Sequence, residues 1–426
     1  MKALRASLIL LLSPCLVSAD TIIVGGNLLN QTWTLANSPY IVQGDVTIPS
    51  ANTLTIEPGV EVRFSSFDSQ FAGLDPNRVE FTVRGTLTAS GTATLPIIFK
   101  AQTGIGPSRW YGIILTSTAA EATTFSRATI RDAIYGIRSQ VTGSVLDMTD
   151  VILSQNQYGV FWSAGSPTFE NLKVFGNVTG LLAQNGGIVK NCLIYNNATY
   201  GVQLTGNNSS PLTVISCTLD SNGTYGLNAS GPGILNVEDC IVANHTFGVH
   251  QSGSIPEVNV TYCDVWNPTG VDFFNVTPGA GVISEDPLFA NRDGADTVAG
   301  TEDDNFQILY PSPCIDAGSG VSSFLGYDEA SIPNTGKDGS SNDIGREEYI
   351  PELRILKVEI STNDIRVHFM ALTNKTYQLE SSTKLSSNPA DWSPVGSAVP
   401  GTGFVVEQTD PGAAQQPQRF YRLREF

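Results

Sequence analysis

Four stretches decide the fold: CLIYNNATYGV at Cys192–Val202, CTLDSNGTYGL at Cys217–Leu227, CIVANHTFGV at Cys240–Val249 and CDVWNPTGV at Cys263–Val271. The cysteines recur at intervals of 25, 23 and 23 residues. Each is followed by Asn, then by an aromatic residue or Thr, then by Gly and a branched aliphatic. The end of the signature runs upstream without cysteine, in Thr179-Gly180-Leu181, Tyr158-Gly159-Val160, Tyr135-Gly136-Ile137 and Tyr111-Gly112-Ile113. A period of about 22 residues marks a repeat architecture.

Aligned on the Gly, the repeats give apolar columns. The first holds Phe125, Met148, Phe169, Val189, Val214, Val237 and Val260. Three residues later stand Ala128, Val151, Leu172, Cys192, Cys217, Cys240 and Cys263. Two further on are Ile130, Leu153, Val174, Ile194, Leu219, Val242 and Val265. After the Gly come Ile137, Val160, Leu181, Val202, Leu227, Val249 and Val271. Spacing of two is a strand with one face inward, and the three-residue offset is a bend. The Asn column, read as Asn156, Asn177, Asn196, Asn222, Asn244 and Asn267, suits a left-handed turn whose amides bond from coil to coil. The cysteines replace Val and Leu in an inward column, so they read as small apolar core residues, at least three of them unpaired. Leucine-rich repeats and propeller blades would show a Leu consensus or a period near 40 residues. The expected fold class is all-β: a parallel β-helix of about ten coils, followed by a small C-terminal β-sandwich.

Composition agrees. The chain has 41 Gly, 15% charged residues and a net charge of −17, which suits short strands and turns and repels a polyanion; nucleic acid is excluded as a partner. Residues 1–19 read as a secretory signal, with Lys2 and Arg5, the apolar run Leu8–Leu12, and cleavage after Ala19. No later stretch reads as a membrane span. Residues 20–350 form the β-helix, with irregular first coils to 108, regular repeats at 109–282 and an acidic, loop-like region at 283–350. Residues 351–426 alternate in Leu353–Val358, Ile365–Phe369, Tyr377–Leu379, Phe404–Val406 and Phe420–Leu423, which reads as the sandwich.

These repeats, with their Asn-x-x-Tyr-Gly turns, resemble the right-handed parallel β-helix proteins of the pectin-lyase-like superfamily. The entry segment Leu54-Thr55-Ile56-Glu57-Pro58-Gly59-Val60 with Gly85–Ala89, and the exit Asp286-Pro287-Leu288-Phe289, Ser312–Gly318 and Asp343-Ile344-Gly345, are similar to those of secreted bacterial members. Thr376–Ser382, Asp391-Trp392 and Arg419–Arg422 resemble C-terminal domains of secreted Verrucomicrobia proteins. The resemblance implies a right-handed coil. It leaves the activity open, because the superfamily holds lyases, hydrolases and adhesins.

Each candidate chemistry has a bland counterpart. Asp293, Asp296, Asp303 and Asp304 around Gly294 could hold calcium, a hard cation that takes several oxygens, or be a solvated acidic loop. A lyase needs a Lys or Arg base near carboxylates, for which Lys173, Lys190 and Glu170, with Asp220, Glu238, Asp239 and Asp264 further along, are the outward candidates; an exposed ion pair is the alternative. Outward Phe175, Tyr195 and Trp266 could stack on sugar rings or lie under neighbouring loops. The first functional reading is a secreted or cell-surface monomer that binds a polysaccharide or another surface ligand without catalysis. The second is a calcium-assisted polysaccharide lyase or other polysaccharide-degrading enzyme, and the third an adhesin or display stalk.

Overall fold

The computed structural model describes residues 20–116, 122–142, 146–206, 210–253, 257–320, 342–347, 349, 355–371, 375–386, 388–401 and 405–426. The leader at 1–19, and Leu353 and Phe404 of the C-terminal strands, lie outside them.

The period-2 segments are strands. Thr53–Ile56 buries Leu54 and Ile56 and turns its threonines outward, and Glu61–Phe64 does the same with Val62 and Phe64. Consecutive strands belong to different sheets, and each third strand returns to the sheet it left. Three parallel sheets result. The first has 11 strands, from Thr21–Ile23 to Asp264–Trp266. The second has 11, from Gly26–Asn27 to Val271–Phe274, and the third 10, from Gln31–Trp33 to Glu257–Thr261. This is a parallel β-solenoid. Two compact units are distinguished within the chain. One takes the described residues up to Ile188 with Asn196–Leu212 and Ser230–Gly233; the other takes Val189–Tyr195, Thr213–Ala229 and Ile234–Phe426.

Two left-handed corners per coil make the chain turn. Before the cysteine column stand Arg127, Asp150, Asn171, Asn191, Ser216, Asp239 and Tyr262, all at positive φ between 45° and 56°. At the second corner stand Asp132, Gln155, Gly176, Asn196, Ser221 and Asn244, also at positive φ. Non-glycine residues rarely adopt this conformation, and Asn and Asp do so most readily.

The residue after the second corner is the one that bonds from coil to coil, and this corrects the Asn column. The ladder consists of Asn156, Asn177 and Asn197 in the first unit, not Asn196. Asn177 Oδ1 accepts from both the backbone N–H and the amide of Asn156, at 2.9 and 3.0 Å. Asn197 Oδ1 serves Asn177 in the same way, at 3.1 and 2.9 Å. In the second unit the ladder is Asn222, His245 and Asn267, so a histidine takes the place read as Asn244. The doublets Asn196-Asn197 and Asn244-His245 hide a one-residue offset between two roles, the left-handed corner and the ladder.

The inward columns are buried as read, Cys192, Cys217, Cys240 and Cys263 included, and these four and Cys314 are free thiols. Cys217, Cys240 and Cys263 each accept the N–H of the preceding column cysteine at 3.4 Å. One column entry is corrected. Val271 pairs with Phe247, so Phe273 is the residue opposite Val249, and Val271 is exposed. Asn267 closes a turn to Gly270 and takes Asp272 Oδ1 on its own N–H and amide, which lengthens the last coil.

The described part of residues 283–350 contains regular structure. Phe289–Asn291 and Asn305–Ile308 pair antiparallel, and Ile241, Ala243, Ile308, Cys314, Ile344 and Tyr349 form a second apolar cluster. After it, Ile355–Ser361, Asp364–Met370 and Val405–Asp410 form one small antiparallel sheet, and Thr376–Ser382 centres another. Val367, Phe369, Tyr377 and Leu379 form their common core, which fits the expected β-sandwich.

Candidate functional site

The outer face of the first sheet in the second unit is covered. Described residues of the following segment, among them Phe289, Ile308, Cys314 and Ile344, pack on it, and the outward acids fasten the chain there. Asp220 accepts from Arg292 at 2.8 Å and from the Asn244 amide at 2.7 Å. Asp239 takes the N–H and hydroxyl of Ser319 at 2.7 and 2.9 Å. Asp264 takes the N–H of Glu285 at 3.1 Å and the Cys314 thiol at 3.2 Å. Burial raises the Asp264 carboxyl to about 7. These three carboxylates are buried and act as fasteners, because their oxygens are already occupied by donors.

The aromatic candidates share that sheet. Tyr195 is 1% exposed, donates its hydroxyl to the Thr301 carbonyl at 2.7 Å and lies 4.8 Å from the Phe306 ring. Phe175 is 7% exposed. Trp266 is half-buried against the second apolar cluster. Tyr195 and Phe175 offer no open ring face, while Trp266 stays partly exposed. Glu170 and Lys190 lie in strands of the third sheet and Lys173 in the first. The left-handed corner at Asn171 turns the chain between Glu170 and Lys173, so the three do not share one sheet face.

The acidic loop uses its carboxylates on its own backbone. Asp303 Oδ2 accepts the N–H of Ala295 and Asp296 at 2.7 and 3.1 Å. Asp304 Oδ2 accepts Gly300 N–H at 2.7 Å, and Asp296 Oδ1 accepts Val298 N–H at 2.8 Å. Gly294, at φ 64°, makes room for Asp303, whose Oδ2 would lie 2.6 Å from an added Cβ. No three of Asp293, Asp296, Asp303 and Asp304 bring ligand atoms within 4.8 Å of one another.

The open feature is the outer face of the second sheet, and it is built by the Tyr-Gly signature itself. In-register parallel coils put equivalent side chains above one another. Tyr135 pairs with Tyr158, and their rings stack at 5.2 Å and 12°. Tyr111 lies 5.6 Å from Tyr135, and Phe161 lies 6.0 Å from it. Stacked rings turn their faces to each other and leave their rims, with the tyrosine hydroxyls, for solvent. All four are half-buried. Burial, with the neighbouring Tyr111 phenol, raises the Tyr135 hydroxyl above its ordinary range.

Arg138 sits among them. Its guanidinium lies 5.3 Å from the Tyr135 ring and 5.9 Å from the Phe161 ring, and donates to the Tyr111 hydroxyl at 3.1 Å. Its Nε is buried without a hydrogen-bond partner. Among the described residues no carboxylate pairs with Arg138, a notable vacancy in a chain of net charge −17. The sequence signal was present in Tyr111, Tyr135 and Tyr158, but those residues served only to align the repeats.

In the second unit the same face carries Tyr225, Phe247, His250 and Phe274. Tyr225 stacks on Phe247 at 5.4 Å, and His250 on Phe274 at 4.7 Å and 11°. His250 Nδ1 lies 2.8 Å from Asn228 Oδ1, which makes it the donor and leaves Nε2 bare; burial lowers the imidazole pKa. Beside them is a shallow cleft of about 700 Å³ lined by Gln251, Gly253, Asn275, Val276 and Thr277.

Residues 111–283 match the family model described as the right handed beta helix region. That stretch is a right-handed β-helix region. Solved structures similar to this β-helix chain include the periplasmic alginate epimerase AlgG, at 12% identity over 60% of this chain and 83% of that one, with a TM-score of 0.32. Pectate lyase Pel9A is similar at 12% identity over 71% and 89%, with a TM-score of 0.32. The enzymatically active domain of Bacteriophage CBA120 tailspike protein 2 is similar at 10% identity over 90% and 72%, with a TM-score of 0.31. Likeness at this level carries no argument about a site. No curated protein matches the chain. Among the described residues no helix is long and apolar enough to cross a membrane.

Proposed function

We propose that this β-helix protein is an extracellular or cell-surface protein that binds carbohydrate along the outer face of its second sheet, without processing it. The observation that carries the reading is the strip of Tyr111, Tyr135, Tyr158 and Phe161 around Arg138. Tyrosine rims offer apolar edges and hydroxyls together, which match the C–H and hydroxyl groups along the edge of a sugar ring. Their repetition from coil to coil suits an extended polymer. Arg138, with an unpaired Nε, would take an anionic substituent on that polymer.

A second reading, a polysaccharide lyase, has one observation on its side: the Tyr111 hydroxyl and the Arg138 guanidinium meet at 3.1 Å on this same face. One experiment tests both. The protein lacking residues 1–19 is incubated with polyuronates and neutral polysaccharides, with and without calcium, because the acidic loop at 293–304 is a candidate for calcium. Retention on a polymer without unsaturated products or new reducing ends is expected. Product formation replaces binding by catalysis, and retention on none of the polymers removes both readings.

A further inference from the structure

The C-terminal sheet carries a convergent group that the carbohydrate reading does not use. Ile355–Ser361, Asp364–Met370 and Val405–Asp410 are antiparallel neighbours. Ile365, Val367 and Phe369 of the central strand face the core, so Arg366 and His368 face the other way. His368 is opposite Lys357 on one side and Glu407 on the other, and Glu359 is opposite Arg366. Register therefore puts Glu359, His368 and Glu407 on one outer face.

Their functional atoms meet. His368 Nε2 is 3.3 Å from Glu359 Oε1 and 3.7 Å from Glu407 Oε2, and the three ligand atoms all lie within 4.8 Å of one another. Donors on a tetrahedral zinc, each at about 2.0–2.1 Å, are separated from one another by about 3.4 Å. The other carboxylate oxygens are turned to cations: Lys357 Nζ is 2.5 Å from Glu359 Oε2, and Arg366 Nε is 3.8 Å from Glu407 Oε1. Each glutamate thus keeps one oxygen for the imidazole. A single Nε2–H satisfies one of those oxygens, and the Glu407 oxygen, 3.7 Å away on an exposed side chain, is left to solvent. A cation at the centre satisfies all three.

We propose that Glu359, His368 and Glu407 bind a divalent transition-metal ion of the zinc type. One imidazole and two carboxylates leave a fourth position for water. Calcium, which takes six or more oxygens, fits this set poorly. Lys357 and Arg366 orient the carboxylates from behind, as outer partners do at metal sites. Bound metal would pin the edge strand Ile355–Ser361, whose Ile360 is 72% exposed, to the two strands beside it.

The test uses the full chain without an affinity tag. Zinc binding is measured by calorimetry, melting is followed in zinc and in chelator, and cobalt(II) is added as a spectroscopic substitute. The expected result is one zinc per chain, a higher melting temperature in zinc, and a cobalt ligand-field band without a thiolate charge-transfer band. Affinity falls in both His368→Ala and Glu407→Gln, by more than the roughly 10- to 100-fold that losing an outer partner costs. Melting of Glu407→Gln in chelator equal to that of the parent shows that its loss is not unfolding. No zinc binding, binding unchanged in both variants, or a thiolate band that assigns the metal to cysteine overturns the proposal.

Discussion

His245 is a histidine in an asparagine ladder, and replacing it with Asn should make the protein less sensitive to acid. The geometry dictates a neutral ring. Nδ1 lies 3.2 Å from Asn267 Oδ1, an acceptor, and Nε2 lies 3.1 Å from the Asn222 amide nitrogen, a donor. Protonation would set Nε2–H against the Asn222 N–H. Burial, the main cause, lowers the pKa from 6.5 to about 3. A base depressed in the folded state binds more protons when unfolded, so its contribution is complete above pH 6.5 and is lost as pH falls. Between pH 8 and pH 5 the loss is about 2 kcal/mol, a figure set almost wholly by the unfolded pKa. His245→Asn places at this position the residue that already bonds well at 156, 177 and 197. The assay is urea unfolding of both chains at pH 8 and pH 5. The drop in stability between the two pH values should be smaller in the variant by about 2 kcal/mol, while groups common to both chains cancel. Equal drops would refute the argument that His245 is held neutral by its partners.

Asp264 has the opposite sign. Its folded carboxyl is raised to about 7, so stability is full below the unfolded pKa and falls as pH rises toward 7. Asp264→Asn should gain nothing at pH 4 and roughly 2–4 kcal/mol at pH 8, read from thermal melting across that range. The thiols of Cys217, Cys240 and Cys314 are raised by burial; alkylation of the native protein should leave all five described cysteines unmodified, and alkylation in denaturant should label each of them, as mass analysis would show. Arg138→Gln should weaken retention on acidic polymers about 10-fold and abolish most of its salt dependence, with no change for neutral polymers; affinity electrophoresis at two salt concentrations checks this.

The solenoid was legible because its signal is repeated. Val151, Leu172 and Cys192 occupy one column, and a period seen seven times survives a local error. The left-handed corner and the ladder were harder to separate, since Asn serves both and Asn196-Asn197 supplies one of each. Nothing local marks the extra residues around Pro268, so Val271 was read in place of Phe273. The site was less legible. Alternation tells which side chains leave the coil, and it placed Tyr195, Asp220 and Asp264 outside correctly. It does not tell what comes back to cover them, and Phe306, Arg292 and Cys314 are distant in sequence. The strip around Arg138 depends on the second sheet staying open, which only three-dimensional packing decides. The Glu359–His368–Glu407 group requires a register across three strands separated by up to 48 residues, which alternation alone does not supply.

Affinity electrophoresis of Tyr135→Ala combined with Phe161→Ala, run against the polysaccharide that best retards the parent, tests the proposed binding face most directly. Removing both rings takes away the support beneath Arg138 and the centre of the strip. Each aromatic contact is worth about 0.5–1.5 kcal/mol, so a loss on the order of 10-fold or more in apparent affinity is predicted, with one cooperative melting transition retained because the inward core is untouched. Retardation equal to that of the parent, in a variant that melts normally, would contradict the account and place carbohydrate binding on another face.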